Sequence, residues 1–201
     1  MASRPSPLVA ALAGAIAGLL ITLTPPGGDP GPLAGTALRM DVEEVLERSD
    51  LVVEGRVLSI SGVDVGGVIC TDVELSVDRT FWGADQPART VRLPGGVLPS
   101  GRGTLLPGMP SVSEGEDLLL FLGPPSGAGL RMPTGLGQGK YRLVTERDGD
   151  RLAVRSASDL VLVGGGRARQ VNGRDVVDYA ELVGRIEAAA QSRRAGEASG
   201  R

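Results

Sequence analysis

The chain has 201 residues, a formal net charge of −3 and only 2% aromatic residues, whereas a nucleic-acid binder needs a basic face and stacking rings, so that class is excluded. It holds no histidine and one cysteine. Ser-His-Asp and Cys-His catalysis, HExxH metal sites, cysteine-based zinc sites and internal disulfides all fall away.

In chain order, Arg4 is followed by an uncharged, largely apolar run over 5–24 and then by Pro25-Pro26-Gly27-Gly28. Its apolar core, 8–23, has 16 residues, fewer than the about 20 that a membrane-spanning helix needs. The run therefore reads as a cleavable export signal. The small-x-small site is Gly35-Thr36-Ala37. An uncleaved tether, with a linker over 25–36, is the alternative, and membrane contact would then be limited to that segment. Lipidation is excluded, because the one cysteine is Cys70. The expected organisation is a signal and Pro/Gly-rich linker over 1–37, one domain over 38–190 and a flexible polar tail over 191–201. Removing 1–37 leaves 164 residues, enough for a hydrophobic core.

Asp41-Val42-Glu43-Glu44 reads as a capping box with Met40 and Val45 as its hydrophobic staple, opening a short helix over 42–48. The stretch 51–60 (LVVEGRVLSI) reads as a strand, with Gly55 marking a bulge or a close backbone approach. A turn over 62–67 follows. In 69–81, Ile69, Thr71, Val73, Leu75 and Val77 alternate with Cys70, Asp72, Glu74, Ser76 and Asp78, which predicts a strand with one buried and one wet face. That parity sends Phe81 into the interior and Trp82 outward.

Residues 89–93 read as a short strand, and 94–115 as a long Gly- and Pro-rich loop. Residues 117–122 read as a buried strand, and 123–129 as a turn. A hairpin is expected from 139–145 and 151–155 around Asp148-Gly149, and an edge strand at 160–163. Asp178-Tyr179-Ala180-Glu181 is a second capping box, stapled by Val177 and Leu182. Its helix places Tyr179, Leu182, Val183, Ile186 and Ala190 on one face. The fold class is mainly β: a small antiparallel OB-like barrel of five to seven strands, with a short N-terminal helix and a C-terminal helix.

The stretch 49–83, with SDLVVEGRV followed by TDVELSVDRTFWG, resembles the opening strands of netrin-type modules, the OB-fold barrels that include the tissue inhibitors of metalloproteases. SEGEDLLLFL resembles a later strand of the same barrels. VRLPGG, PGMPSVSEGEDLLLFL and GLGQGKYRL together resemble an uncharacterised family of exported bacterial proteins. The resemblance covers 40–163. It implies a barrel that binds a protein or ligand. Zinc-chelating inhibition does not carry over, because no cysteine lies near the mature N-terminus.

The acidic stripe Asp72, Glu74 and Asp78 is either a calcium site, which would need ligands from a neighbouring strand, or an acid–base pair, or else a solvated face. Cys70 is either a reactive thiol or an intermolecular disulfide partner on that face, or buried at the strand start. Gly135-Leu136-Gly137-Gln138-Gly139-Lys140 fails as a phosphate loop: the first glycine of the motif is Thr134, Tyr141 follows the lysine, and a strand follows rather than a helix. Lys140 is the single lysine beside 20 arginines, an imbalance that fits GC-rich codon usage. Trp82 is either a binding anchor or a cover for the C-terminal helix.

The reading is an exported, non-enzymatic binding or accessory domain, with association with an extracellular protease among its expected roles and no cofactor, metal or nucleic acid. Its expected partner surface is Trp82, Arg92, Gly95, Gly96 and Lys140, with the 94–115 loop. The alternatives are a hydrolase using carboxylates or Lys140, and a tethered structural envelope protein.

Overall fold

The first capping box forms as its spacing requires. The Asp41 carboxylate accepts from the Glu44 amide at 2.9 Å, and Glu44 accepts from the Asp41 amide at 3.2 Å. Met40 and Val45, the staple pair, are both buried. The computed structural model describes residues 35–156, 160–164, 167–170 and 174–200. The apolar run and most of its linker lie outside the described residues.

The elements begin with β1 (Gly35–Leu38), α1 (Val42–Glu47), β2 (Leu51–Val65) and β3 (Val68–Trp82). Then come β4 (Ala88–Pro94), β5 (Gly96–Val97), β6 (Gly103–Thr104) and β7 (Asp117–Leu122). A 3-10 turn, Leu136–Gly139, leads into β8 (Lys140–Thr145) and β9 (Arg151–Ser156). The chain ends with β10 (Leu160–Gly164), β11 (Arg167–Gln170), β12 (Arg174–Asp178) and α2 (Tyr179–Ser199). Pro32–Arg201 is one unit.

Seven strands make one antiparallel sheet in the order β12-β9-β8-β7-β2-β3-β4. Its two faces carry separate cores. On one face Val52, Phe81, Leu119, Phe121, Tyr141, Leu143 and Ala153 pack against Val42, Val45 and Leu46 of α1 and Leu182, Val183, Ile186 and Ala190 of α2. On the other face Leu51, Val53, Val57, Val73, Leu75, Val91, Leu93, Leu118, Leu120 and Leu122 form a second cluster, with Met109 and Val112 of the 94–115 loop against it. The consecutive leucines of β7 serve both cores by alternation.

The expected barrel is not closed by this sheet: β12 and β4 are its two edges. The physical reason is that β8 takes the outer edge of β7 along Leu118–Leu120, so β7 cannot reach β4. A short segment spans the gap instead. Met132 accepts from the Gly123 amide and Thr134 donates to the Phe121 carbonyl, each at 2.8 Å. Arg131 donates to the Arg92 carbonyl of β4, also at 2.8 Å.

Several boundaries differ from the periodicity. The turn 62–67 contracts to Gly66 and Gly67, whose φ of 63° and 88° suit a two-residue hairpin turn. The β2–β3 pairing shifts register at Val52/Val53, Glu54/Gly55 and Val57/Ser59. Gly55 is thus a bulge site as expected. Phe81 falls at one of these shifts, so it sits in the helix-side core and not with Val73 and Leu75. Residues 35–37, expected in the removed leader, lie in β1, which runs parallel to β10. The helix over the expected polar tail continues to Ser199, because Arg193 donates to the Leu46 and Ser49 carbonyls and Arg194 to that of Phe81.

Val73 and Leu75 are essentially dry, at 0% and 1% exposure. Val73→Asp should abolish cooperative thermal unfolding, because a buried unpaired charge has no partner on this face. Leu75→Ala should cost about 3 kcal/mol in denaturant titration. A Val73→Asp chain that melts like the parent would contradict the fold.

Candidate functional site

Four of the five residues expected on a partner surface attach to one structure, the 94–115 loop and its base. Arg92, on β4, makes a bidentate bond to Asp72 of β3, with both distances 2.7 Å. Asp72 is therefore neutralised, and Glu74 accepts from Ser59 at 2.8 Å. Two of the three stripe carboxylates, Asp72 and Glu74, are thus bonded to sheet neighbours, and no group of three or more side chains that could hold a metal ion occurs among the described residues.

Gly95 and Gly96 start the loop. The Gly95 amide donates to the Ile69 carbonyl at 2.9 Å. A side chain at Gly96 would begin 2.1 Å from the Thr71 hydroxyl, and its φ is 127°, so only glycine fits. β5 and β6 pair as a small hairpin laid across the β2–β3 hairpin: a Cβ at Gly62 would meet the Val97 carbonyl oxygen at 1.9 Å. Arg102 pairs with Asp64 at 2.6 Å across the same crossing.

Lys140 anchors the far end. Its ammonium lies 2.6 Å from Glu116, with side chains only 10% and 7% exposed, and it donates to the Ser111 carbonyl. Burial pushes Lys140 below the ordinary lysine range, and Glu116 opposes that shift. The Gly115 amide donates to the Val57 carbonyl, and the Gly137 amide to that of Gly108, both at 2.9 Å. The GLGQGK segment forms the 3-10 turn, where Gln138 is buried and bonds to the Met40 amide and the Leu38 carbonyl.

On this anchored loop Val97 is 64% and Leu105 84% exposed, and Val68 at the hairpin turn is 52% exposed. Sequence reading singled out the loop but neither aliphatic residue, because alternation carries no signal in Gly- and Pro-rich chain. Cys70 is fully buried, which raises its thiol pKa. It does not share the wet face.

Trp82 belongs elsewhere. It lies ten residues along β3 from Asp72, about 33 Å of extended strand. Its ring packs against the helix-side core, with the Arg193 guanidinium 4.1 Å and that of Arg194 5.5 Å from its centre. Nearby, Arg79, Thr80, Phe81, Glu187, Ala190, Gln191 and Arg194 line a groove of about 200 Å³. Its charges are already occupied: Arg79 bonds to Glu187, and Arg194 to the Phe81 carbonyl.

Comparison of the chain with family models, with curated proteins and with solved structures gives no match.

Trp82→Ala should lower stability by about 2 kcal/mol, from lost packing and cation–π contact with α2. That corresponds to a fall of about 4–8 °C in Tm for a domain of this size. An unchanged melting curve would show that α2 does not rest on the indole.

Proposed function

We propose that this chain is an exported, non-enzymatic binding domain that docks a protein partner through the 94–115 loop. The observation that carries the reading is the exposure of Val97 and Leu105 on a segment anchored at both ends. Aliphatic side chains held rigidly in water lose no further backbone freedom on binding, so their burial goes into affinity. The netrin-like resemblance of 49–83 supports the same function. The segment 130–134, bonded to both β7 and β4, supports an OB-like reading of the fold.

Export rests on the apolar run 8–23. Among the described residues no helix is long and apolar enough to cross a membrane. An accessory role beside an extracellular protease is part of the same reading, carried by the netrin-like resemblance.

The test is capture from extracellular extract with the parent chain and with a Val97→Asp/Leu105→Asp chain. The parent should retain a partner, and the double variant at least tenfold less, about 1.4 kcal/mol, with Tm unchanged. Equal retention by both chains, or none by the parent, would contradict docking through this loop.

A further inference from the structure

Lys140 is the only lysine of the chain, and it is nearly dry. Its ammonium meets Glu116 Oε1 at 2.6 Å and the carbonyl oxygen of Ser111. The other Glu116 oxygen accepts from the Ser113 amide at 3.0 Å, while the Glu116 amide donates to the Ser113 carbonyl. The Glu116 carbonyl in turn accepts from the Val57 amide at 2.9 Å. One carboxylate thus ties the last turn of the loop to itself, and one ammonium ties that turn to the start of β8.

Nearby, Met109 and Val112 lie against the second core. Val112 sits between Ser111 and Ser113, the two residues that the Lys140–Glu116 pair holds. A buried ion pair is a poor source of stability but a strong constraint on geometry, since separating the partners strands a charge in a dry site. The two side-chain cations differ in shape. An ammonium is a compact point donor, whereas a guanidinium is a planar fork that needs more room and a different acceptor arrangement. In a chain that otherwise uses arginine for every side-chain cation, this position carries the compact ammonium.

We propose that Lys140 is the positioning residue of the docking loop: clamped between Glu116 and the Ser111 carbonyl, it holds Val97 and Leu105 in their presenting conformation, and arginine does not replace it. This rests on the docking function given above. The unique amine supplies a direct readout. Acetylation of the full chain by an N-hydroxysuccinimide acetate, followed by mass spectrometry, reports two amines, the α-amine and Lys140.

In the parent chain Lys140 should be acetylated at least 100-fold more slowly than lysine in a denatured sample of the same chain. Glu116→Gln should accelerate it at least tenfold. Lys140 reacting at the denatured rate in the folded parent would overturn the latch without any substitution. Lys140→Arg should capture the extract partner at least tenfold less than the parent, with the circular dichroism spectrum retained. Parent-like capture by Lys140→Arg would overturn the positioning role, whereas the aspartate pair at Val97 and Leu105 tests the docking surface separately. If that pair still captures the partner while Lys140 stays protected, the docking reading fails and the latch stands only as a structural clamp, which removes the role proposed here.

Discussion

Leu51, Val52 and Val53 are consecutive residues of one strand, and all three are shut off from water. Because neighbours in a strand face opposite ways, β2 has no wet side along this stretch. The same holds for Leu118 to Leu122 in β7. A central strand pair that is dry on both faces obliges the chain to supply two covers. The helices α1 and α2 are one. Met109 and Val112 of the 94–115 loop contribute to the other. The loop is therefore part of the core at its base, and its order follows from that requirement.

The same segment is seated at its base and exposed at its tip because its composition changes along its length. Gly95 and Gly96 allow a tight approach to β3, the small hairpin of β5 and β6 projects Val97, and the apolar residues further on return to the sheet. The return is secured by a buried ion pair, which contributes little net stability but tolerates only one geometry. Rigidity at the base and exposure at the tip are what a preformed protein-docking surface combines. At the opposite end, Arg193 and Arg194 fix α2 onto α1 and β3 through backbone carbonyls and the Trp82 ring. That end is occupied by the protein itself.

Local signals in the sequence were reliable. The first capping box, the Asp178 cap on the Glu181 amide, the alternation over Val73 and Leu75, the Asp148-Gly149 hairpin and the apolar face of α2 all stand in the structure. Non-local effects were not legible. Register shifts in β2 and β3 move Phe81 to the other face, and nothing in a period-two pattern announces them. The parallel pairing of β1 with β10 joins residues 125 positions apart, Gly35 and Leu160 among them. The end of α2 is held by arginine bonds to distant carbonyls, so its polar sequence reads as a tail. At the candidate site, Arg92, Gly95, Gly96 and Lys140 were named from sequence, but the Glu116 partner of Lys140 was not, because the contact depends on the path of the loop. Of the two readings of Trp82, the structure places its ring against α2, as the covering alternative expects.

The central claim is that the 94–115 loop is seated as firmly as the sheet it covers. Amide hydrogen exchange at Gly95, Gly115 and Gly137 tests it most directly, since these donors bond to Ile69, Val57 and Gly108 and lie at the points where the loop meets the fold. Protection comparable to that of β7 is the outcome required. Exchange of these three amides at free-chain rates, beside a protected β7, would mean an unseated loop and would contradict the account.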